Sequence, residues 1–284
     1  MNPVIVIGMH RSGTSLMVKV LEKLGVFMGA DQEANGESLF FNLTNVWILR
    51  QAHTRWDNPK NFKYFSNEAK NILVPLTKKR LTSFNNKKYF GKIREQRSFS
   101  NINFLWGWKD PRNTFTLDVW KEIFGNMKII HIYRNPMDVI NSLSQREKRI
   151  KPNFGNSIRT KIREKIYGFK LPQEDLFYRS FRSLSFEGGF SLWKEYTEKA
   201  LSVSINDPSQ IYHLSFEELL TAPSESVKKL STFLKTEKKK IDHRFMNINR
   251  KYAFVENPDL IKFYHKIKED EMVVKLGYGN IYQS

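Results

Sequence analysis

The segment Gly8-Met9-His10-Arg11-Ser12-Gly13-Thr14-Ser15 spaces two glycines as G-x-x-x-x-G. It lies between an apolar β-branched run, Val4–Ile7, and a stretch whose apolar residues recur at helical spacing as far as Gly25. A glycine turn that carries a strand into a helix leaves the first amides of that helix without backbone acceptors, and with the helix dipole they form a receptor for phosphate or sulfate. A second set of polar side chains follows the apolar run Ile129–Tyr133. Arg134 stands at its end, and Ser142 comes eight positions later, on a helix begun by Asn135-Pro136-Met137-Asp138. An arginine at a strand end presents a fork of donors, and a serine about two turns into the next helix adds a hydroxyl to the same oxygen cluster. A third set is Trp108-Lys109-Asp110-Pro111-Arg112, which would put Lys109 at the carboxyl end of a strand, where open α/β sheets bind ligands.

The glycine loop departs from a nucleoside-triphosphate loop in one respect. Thr14 stands where G-K-[ST] requires lysine, and the basic side chain comes three residues earlier, as Arg11. With that change, Arg11-Ser12-Gly13-Thr14-Ser15-Leu16 resembles the 5′-phosphosulfate loop of sulfotransferases, especially the bacterial and tyrosylprotein types with their R-S-G-T-[ST]-L. The resemblance implies that Arg11 grips the phosphosulfate of the donor PAPS (3′-phosphoadenosine-5′-phosphosulfate). It further implies that the loop amides, with His10, Ser12, Gly13, Thr14 and Ser15, hold the 5′-phosphate, and that Arg134 and Ser142 bind the 3′-phosphate. Similar K-D-P-R segments in those enzymes make Lys109 a second catalytic cation. Glu37-Ser38-Leu39-Phe40-Phe41-Asn42 looks like the E-x-x-F-F segment of heparan-type sulfotransferases, which implies that Glu37 is the catalytic base. Leu214-Ser215-Phe216-Glu217-Glu218-Leu219 resembles the Y-E-D-L element of the superfamily, with Phe216 where tyrosine is common, and Leu276-Gly277-Tyr278 extends the likeness.

Each of these residues also has a plainer reading. Arg134 could simply pair with Asp138, Ser142 could face the core, Lys109 could be an exposed lysine beside a helix cap, and Glu37 a surface carboxylate. Asp110, next to Pro111 and Arg112, is a second carboxylate in reach of the chemistry, although its setting suits a turn or a cation pair better.

These side chains must be positioned by elements. Strands are expected at Val4–Ile7, Phe104–Trp108, Ile129–Tyr133 and Ile211–Leu214. Helices are expected after Gly13, over 38–53 and 66–82, over Phe115–Phe124, from Met137, from Gly189, and over Pro223–Leu234. Strands alternating with helices predict an α/β three-layer sandwich around a central parallel sheet. The resemblance makes this the sulfotransferase fold, which is like that of P-loop-containing nucleotide hydrolases. The whole chain, 1–284, reads as one domain with basic insertions at about 77–97 and 145–185.

Composition narrows the field further. A formal charge of +18 predicts attraction to polyanions. With no cysteine, disulfides and thiolate zinc sites are excluded, and the six histidines show no ligand spacing, so a metal-independent reaction is expected. The N-terminal apolar run is too short for a signal peptide or a membrane span and no other segment approaches spanning length, which points to a cytoplasmic protein without a transmembrane segment. The expected activity is sulfuryl transfer from PAPS, releasing PAP (3′-phosphoadenosine-5′-phosphate), to a hydroxyl or amine of a small-molecule or glycan acceptor, with no nucleic-acid partner. The rivals are a P-loop kinase or NTPase, and a basic nucleic-acid-binding protein that would stack bases on Trp106, Trp108 and Tyr133.

Overall fold

The computed structural model describes residues 1–83, 86–91, 98–149, 179–203, 208–237 and 241–282. Four strands form one wholly parallel sheet: β1 Val4–Ile7, β2 Gly107–Lys109, β3 Lys128–Tyr133 and β4 Ile211–Ser215, in the spatial order β2-β1-β3-β4. Register is set by Val6 opposite Lys109, Ile7 opposite His131 and Tyr133 opposite Ser215.

Parallel strands need helical crossovers, so the sheet is covered on both faces, and its strands are apolar on both sides rather than alternating with polar residues. One face, carrying Val4, Val6, Ile130, Ile132 and Leu214, packs against α1 (Thr14–Lys23) and against α9 (Pro223–Leu234), which follows the short α8 (Phe216–Thr221). The other, carrying Ile5, Ile7 and Ile129, packs against α2 (Leu39–Gln51), α5 (Asn113–Phe124), α6 (Pro136–Lys148) and α7 (Phe186–Leu201). The layered architecture is the one expected from the alternation of periods.

The second strand begins later than its apolar run suggests. Trp106 joins only an isolated bridge with Phe27, and the paired strand starts at Gly107, which lies so close to Val4 that a Cβ there would come within 1.9 Å of the Val4 carbonyl oxygen. Within the basic stretch 77–97, residues Thr77–Leu81 complete α3 (Asn67–Leu81), and Asn86–Phe90 form α4. Tyr89 and Phe90 of α4 are buried in the aromatic core, and the Tyr89 hydroxyl donates to the Gly107 carbonyl at 2.7 Å. This basic stretch is therefore anchored by two aromatics. Residues 84–85, 92–97 and 150–178 of the two expected insertions lie outside the described residues. Two short C-terminal helices, α10 (Pro258–Ile267) and α11 (Glu271–Lys275), bring Tyr278 back to the sheet, where its hydroxyl donates to Glu217 at 2.8 Å. No helix among the described residues is long and apolar enough to cross a membrane.

Candidate active site

The carboxyl ends of all four strands open onto one cleft. The glycine loop leaves β1, Lys109 ends β2, Arg134 follows β3 and Phe216 follows β4. Two backbone approaches fix the loop. Gly8 has φ +136° and lies where a Cβ would meet the Ile132 carbonyl oxygen at 2.2 Å, and Gly13 has φ +99° and lies where a Cβ would enter the Phe216 ring at 2.3 Å. Gly13 caps α1 without a side-chain acceptor, and the amides of Gly13, Thr14 and Ser15 have no acceptor among the described residues. They face a cavity of about 240 Å³ that is lined by His10, Arg11, Thr14, Glu37, Lys109 and Arg134 among others.

Glu37 and Lys109 meet in this cavity. The Lys109 ammonium, 1% exposed, donates to Glu37 Oε1 at 3.1 Å, and Asn42 donates to Glu37 Oε2 at 3.0 Å. Burial lowers the pKa of Lys109, opposed by the charge of Glu37. Glu37 immediately precedes Ser38, whose hydroxyl caps α2 by accepting from the Phe41 amide, so the carboxylate is held at a helix start. Asp110 takes a different role. It is fully buried, accepts from Asn45 at 3.0 Å and from the Arg112 amide at 3.0 Å, and pairs with the Arg112 guanidinium at 3.1 Å. These contacts tie down the turn after β2.

Arg134 makes the pair with Asp138, at 2.7 Å, and still lines the cavity. Its Nη2 also donates to the Arg250 carbonyl, its guanidinium lies 4.5 Å over the Phe216 ring, and its buried Nε has no partner. Ser142 is half-buried and lines an adjoining cavity of about 590 Å³ rather than the core. Its hydroxyl accepts from Arg11 Nε at 2.7 Å. The Arg11 side chain is thus bonded to Ser142 while it lines the cavity with Lys109, and its residue sits at φ +71°. Burial and the neighbouring Arg146, Arg250, Arg134 and Arg149 depress its pKa.

The remaining loop residues divide. His10 lines the cavity and packs edge-on against Trp56 at 4.7 Å, with a buried Nε2 that has no partner. Burial, then the charges of Arg112 and Arg146, hold its imidazole well below the usual range. Ser12 differs from the sequence expectation. It is fully buried under the loop, its hydroxyl donating to the Met9 carbonyl at 2.7 Å and lying 3.1 Å from the Ile132 carbonyl, so it braces the turn instead of facing the cleft. The Ser15 hydroxyl donates to the Asn35 carbonyl at 2.7 Å.

The glycine loop, strand-end cations and a carboxylate-bound lysine thus line one cleft, and residues 3–240 match the sequence model of the Sulfotransferase family. The chain belongs to the sulfotransferase family. This sulfotransferase is similar to a sulfotransferase domain from the curacin biosynthetic pathway, at 16% identity and TM-score 0.48, with 98% of each chain covered. It is also similar to a sulfotransferase from Alicyclobacillus acidocaldarius, at 14% identity and TM-score 0.49, covering 94% of this chain and 90% of that one. A mouse sulfotransferase complexed with PAP aligns at 15% identity and TM-score 0.35, over 90% of this chain and 67% of its own. No curated protein matches the chain significantly.

Several residues at this sulfotransferase's site were not singled out by sequence. The two cavities share Arg11, Arg134, Arg146, Arg179 and Arg250, and Arg149 lines the larger one. Arg146 had a usable signal, since Asp138, Ser142 and Arg146 recur every four residues on one face of α6. Its guanidinium lies 4.7 Å over Trp56 and pairs with the buried Glu147 at 2.8 Å. Arg250 and Phe245 enter from the segment after α9, where no motif pointed.

Proposed function

We propose that this sulfotransferase uses PAPS as its donor and transfers the sulfuryl group to a hydroxyl, or an amine, of an acceptor that includes glycans among its candidates. The observation that carries the reading is the charge pattern of the joined cavities. Lys109 is paired with Glu37, Arg134 with Asp138 and Arg146 with Glu147, which leaves four guanidiniums, those of Arg11, Arg149, Arg179 and Arg250, without an ion-pair partner among the described residues. PAPS brings roughly four negative charges, two of them on its 3′-phosphate at neutral pH. A triphosphate with magnesium would instead call for a lysine at Thr14 and an acidic metal ligand.

In this reading the amides of Gly13, Thr14 and Ser15 cradle the 5′-phosphate. Arg134, Ser142 and Arg11 converge on the 3′-phosphate, and the apolar side of the cavity at Leu16, Phe216 and Phe245 receives the base. The acceptor oxygen attacks sulfur in line, its proton passes to a Glu37 oxygen, and the sulfur–oxygen bond to the 5′-phosphate breaks with the electron pair leaving on the phosphate oxygen. Products are the sulfate ester and PAP. The pairing of base and cation couples the two ends of this step. As Glu37 gains the proton its hold on the Lys109 ammonium weakens, and that charge becomes available to the oxygen that leaves. Trp106 and Trp108, which a nucleic-acid reading would use for stacking, are buried in the core.

A thermal-shift comparison tests the donor. PAP without magnesium should raise the melting temperature well above the shift given by 5′-AMP, because the 3′-phosphate cluster is engaged only by PAP. Stabilisation by Mg-ATP with none by PAP would replace this reading with a kinase or NTPase.

A further inference from the structure

Outside the cleft, a second basic surface is the outer face of α2, α3 and α4. Its described residues from 69 to 83 and from 86 to 91 contain six lysines and arginines and no acidic residue. Within the same face, large apolar side chains protrude: Leu43 is 49% exposed, Ile72 63% and Leu76 46%. Leu43 and Leu76 line a shallow groove of about 680 Å³ together with Lys79 and Lys88, and Ile72 lies one turn before Leu76 on α3. The core of the helix does not need these residues, because α3 is packed through Leu73, Thr77 and Leu81. Contiguous apolar side chains rimmed by cations mark an interaction site rather than ordinary surface.

The chemistry of the cations selects the occupant. Arg80, the planar fork in the group, is turned inward, donating to Thr44 at 3.1 Å and lying 5.9 Å over the Trp47 ring, and Lys70 pairs with Glu122 at 2.9 Å. The outward charges are lysines, among which Lys78, Lys79 and Lys88 make no ion pair among the described residues. Point charges on flexible stems suit a diffuse negative surface, whereas recognition of individual carboxylates favours arginine forks. A second copy of the chain is a poor occupant, because a two-fold interface would set this patch against itself and oppose like charges.

We infer that this face docks the enzyme on an anionic lipid surface, with Leu43, Ile72 and Leu76 entering the acyl boundary and the lysines at headgroup level. Docking would be peripheral. Because α2 starts directly after Glu37 and Ser38, Leu43 is only roughly 6 Å of helix rise from the first residue of the same element, the end next to Glu37. The surface that would meet the lipid is thus rigidly joined to the cleft.

Co-sedimentation with vesicles of phosphatidylcholine alone and of phosphatidylcholine mixed with phosphatidylserine tests this on the full chain. The protein should bind the mixed vesicles and not the neutral ones. Partitioning should fall at least ~10-fold in a Leu43→Glu/Leu76→Glu variant and in a separate Lys78→Glu/Lys79→Glu variant, each with an unchanged melting temperature. Absence of binding to mixed vesicles overturns the inference. So does binding that both variants retain, which would reflect the net charge alone. Patch-dependent binding to polyglutamate without binding to vesicles would also overturn it, in favour of an acidic protein partner.

Discussion

Each charged residue of the cleft is defined by its partner more than by its type. Of the two carboxylates near Lys109, Asp110 is enclosed by Asn45 and by the amide and guanidinium of Arg112, whereas Glu37 reaches the cavity with Lys109 and Asn42 as its hydrogen-bond partners. A positioned base contributes typically ~10²- to 10⁴-fold, so Glu37→Gln should lower turnover by at least ~10²-fold while PAP affinity, read by calorimetry, stays nearly unchanged. Asp110→Asn should lower the melting temperature instead, because burial leaves the Arg112 guanidinium short of its counter-charge. Normal turnover in Glu37→Gln would move the base elsewhere. Arg134 pairs with Asp138, and its cavity-lining guanidinium retains an unpartnered Nε. Loss of a charge-assisted contact predicts that Arg134→Ala weakens PAP by about 2 to 4 kcal/mol. The same variant should lose far less affinity for 5′-AMP, and that difference separates a 3′-phosphate ligand from a residue that merely holds the fold. Equal losses for the two nucleotides would remove Arg134 from the phosphate site.

At the scale of elements, what the sequence reveals is what depends on short-range pattern. Strand β1, helix α9 and the α6 cap written in Asn135-Pro136 are legible because apolar period, proline and a capping side chain all lie within a few residues, and Asn135 does accept from the Asp138 amide. The glycine loop is legible for the same reason. The start of β2 is not, since Trp106 and Gly107 differ in their pairing through the approach of β1, a contact about a hundred residues away in sequence. The role of α4 is hidden likewise: lysines dominate its sequence, while Tyr89 and Phe90 decide where it goes. The direction of Arg11 and the burial of Ser12 depend on Ser142 and on the Ile132 carbonyl, neither of them close in sequence. Arg250 arrives by a tertiary route that no local motif marks. A test of how strictly the loop is held is Gly13→Ala, which adds a methyl group directed into the Phe216 ring and imposes a left-handed φ on alanine. PAP affinity should fall at least ~10-fold with far-ultraviolet circular dichroism unchanged, because the first amides of α1 lose their alignment. Unaltered affinity would mean that those amides do not hold the nucleotide.

The molecule as a whole couples its sheet to pH through a pair of histidines on adjacent strands. His131 on β3 and His213 on β4 approach through their Nδ1 atoms at 2.9 Å, so one ring donates to the other and both cannot carry a second proton there. Burial, and then the charge of His213, lowers His131 to about 3, and burial lowers His213 and His10 in the same direction. In the unfolded chain these imidazoles titrate near about 6.5. A group whose pKa is depressed by folding contributes stability above its unfolded pKa and loses it as pH falls through the window between the two values, here from about 6.5 toward about 3. A histidine held near 3, as His131 is, costs about 2 kcal/mol by pH 5, since the unfolded form takes up a proton that the folded form refuses. Urea midpoints at pH 7 and pH 5 should therefore show a marked fall for the native chain. The fall should be smaller by about 2 kcal/mol in His131→Gln, which keeps a polar group beside His213 but cannot titrate. His213 is more exposed and supplies less, so the single substitution should remove most of what the pair contributes. An acid sensitivity identical in the two proteins would show that the sheet accommodates the second proton, and would shift the origin of the effect to His10 in the cleft, where bound PAP would then suppress it.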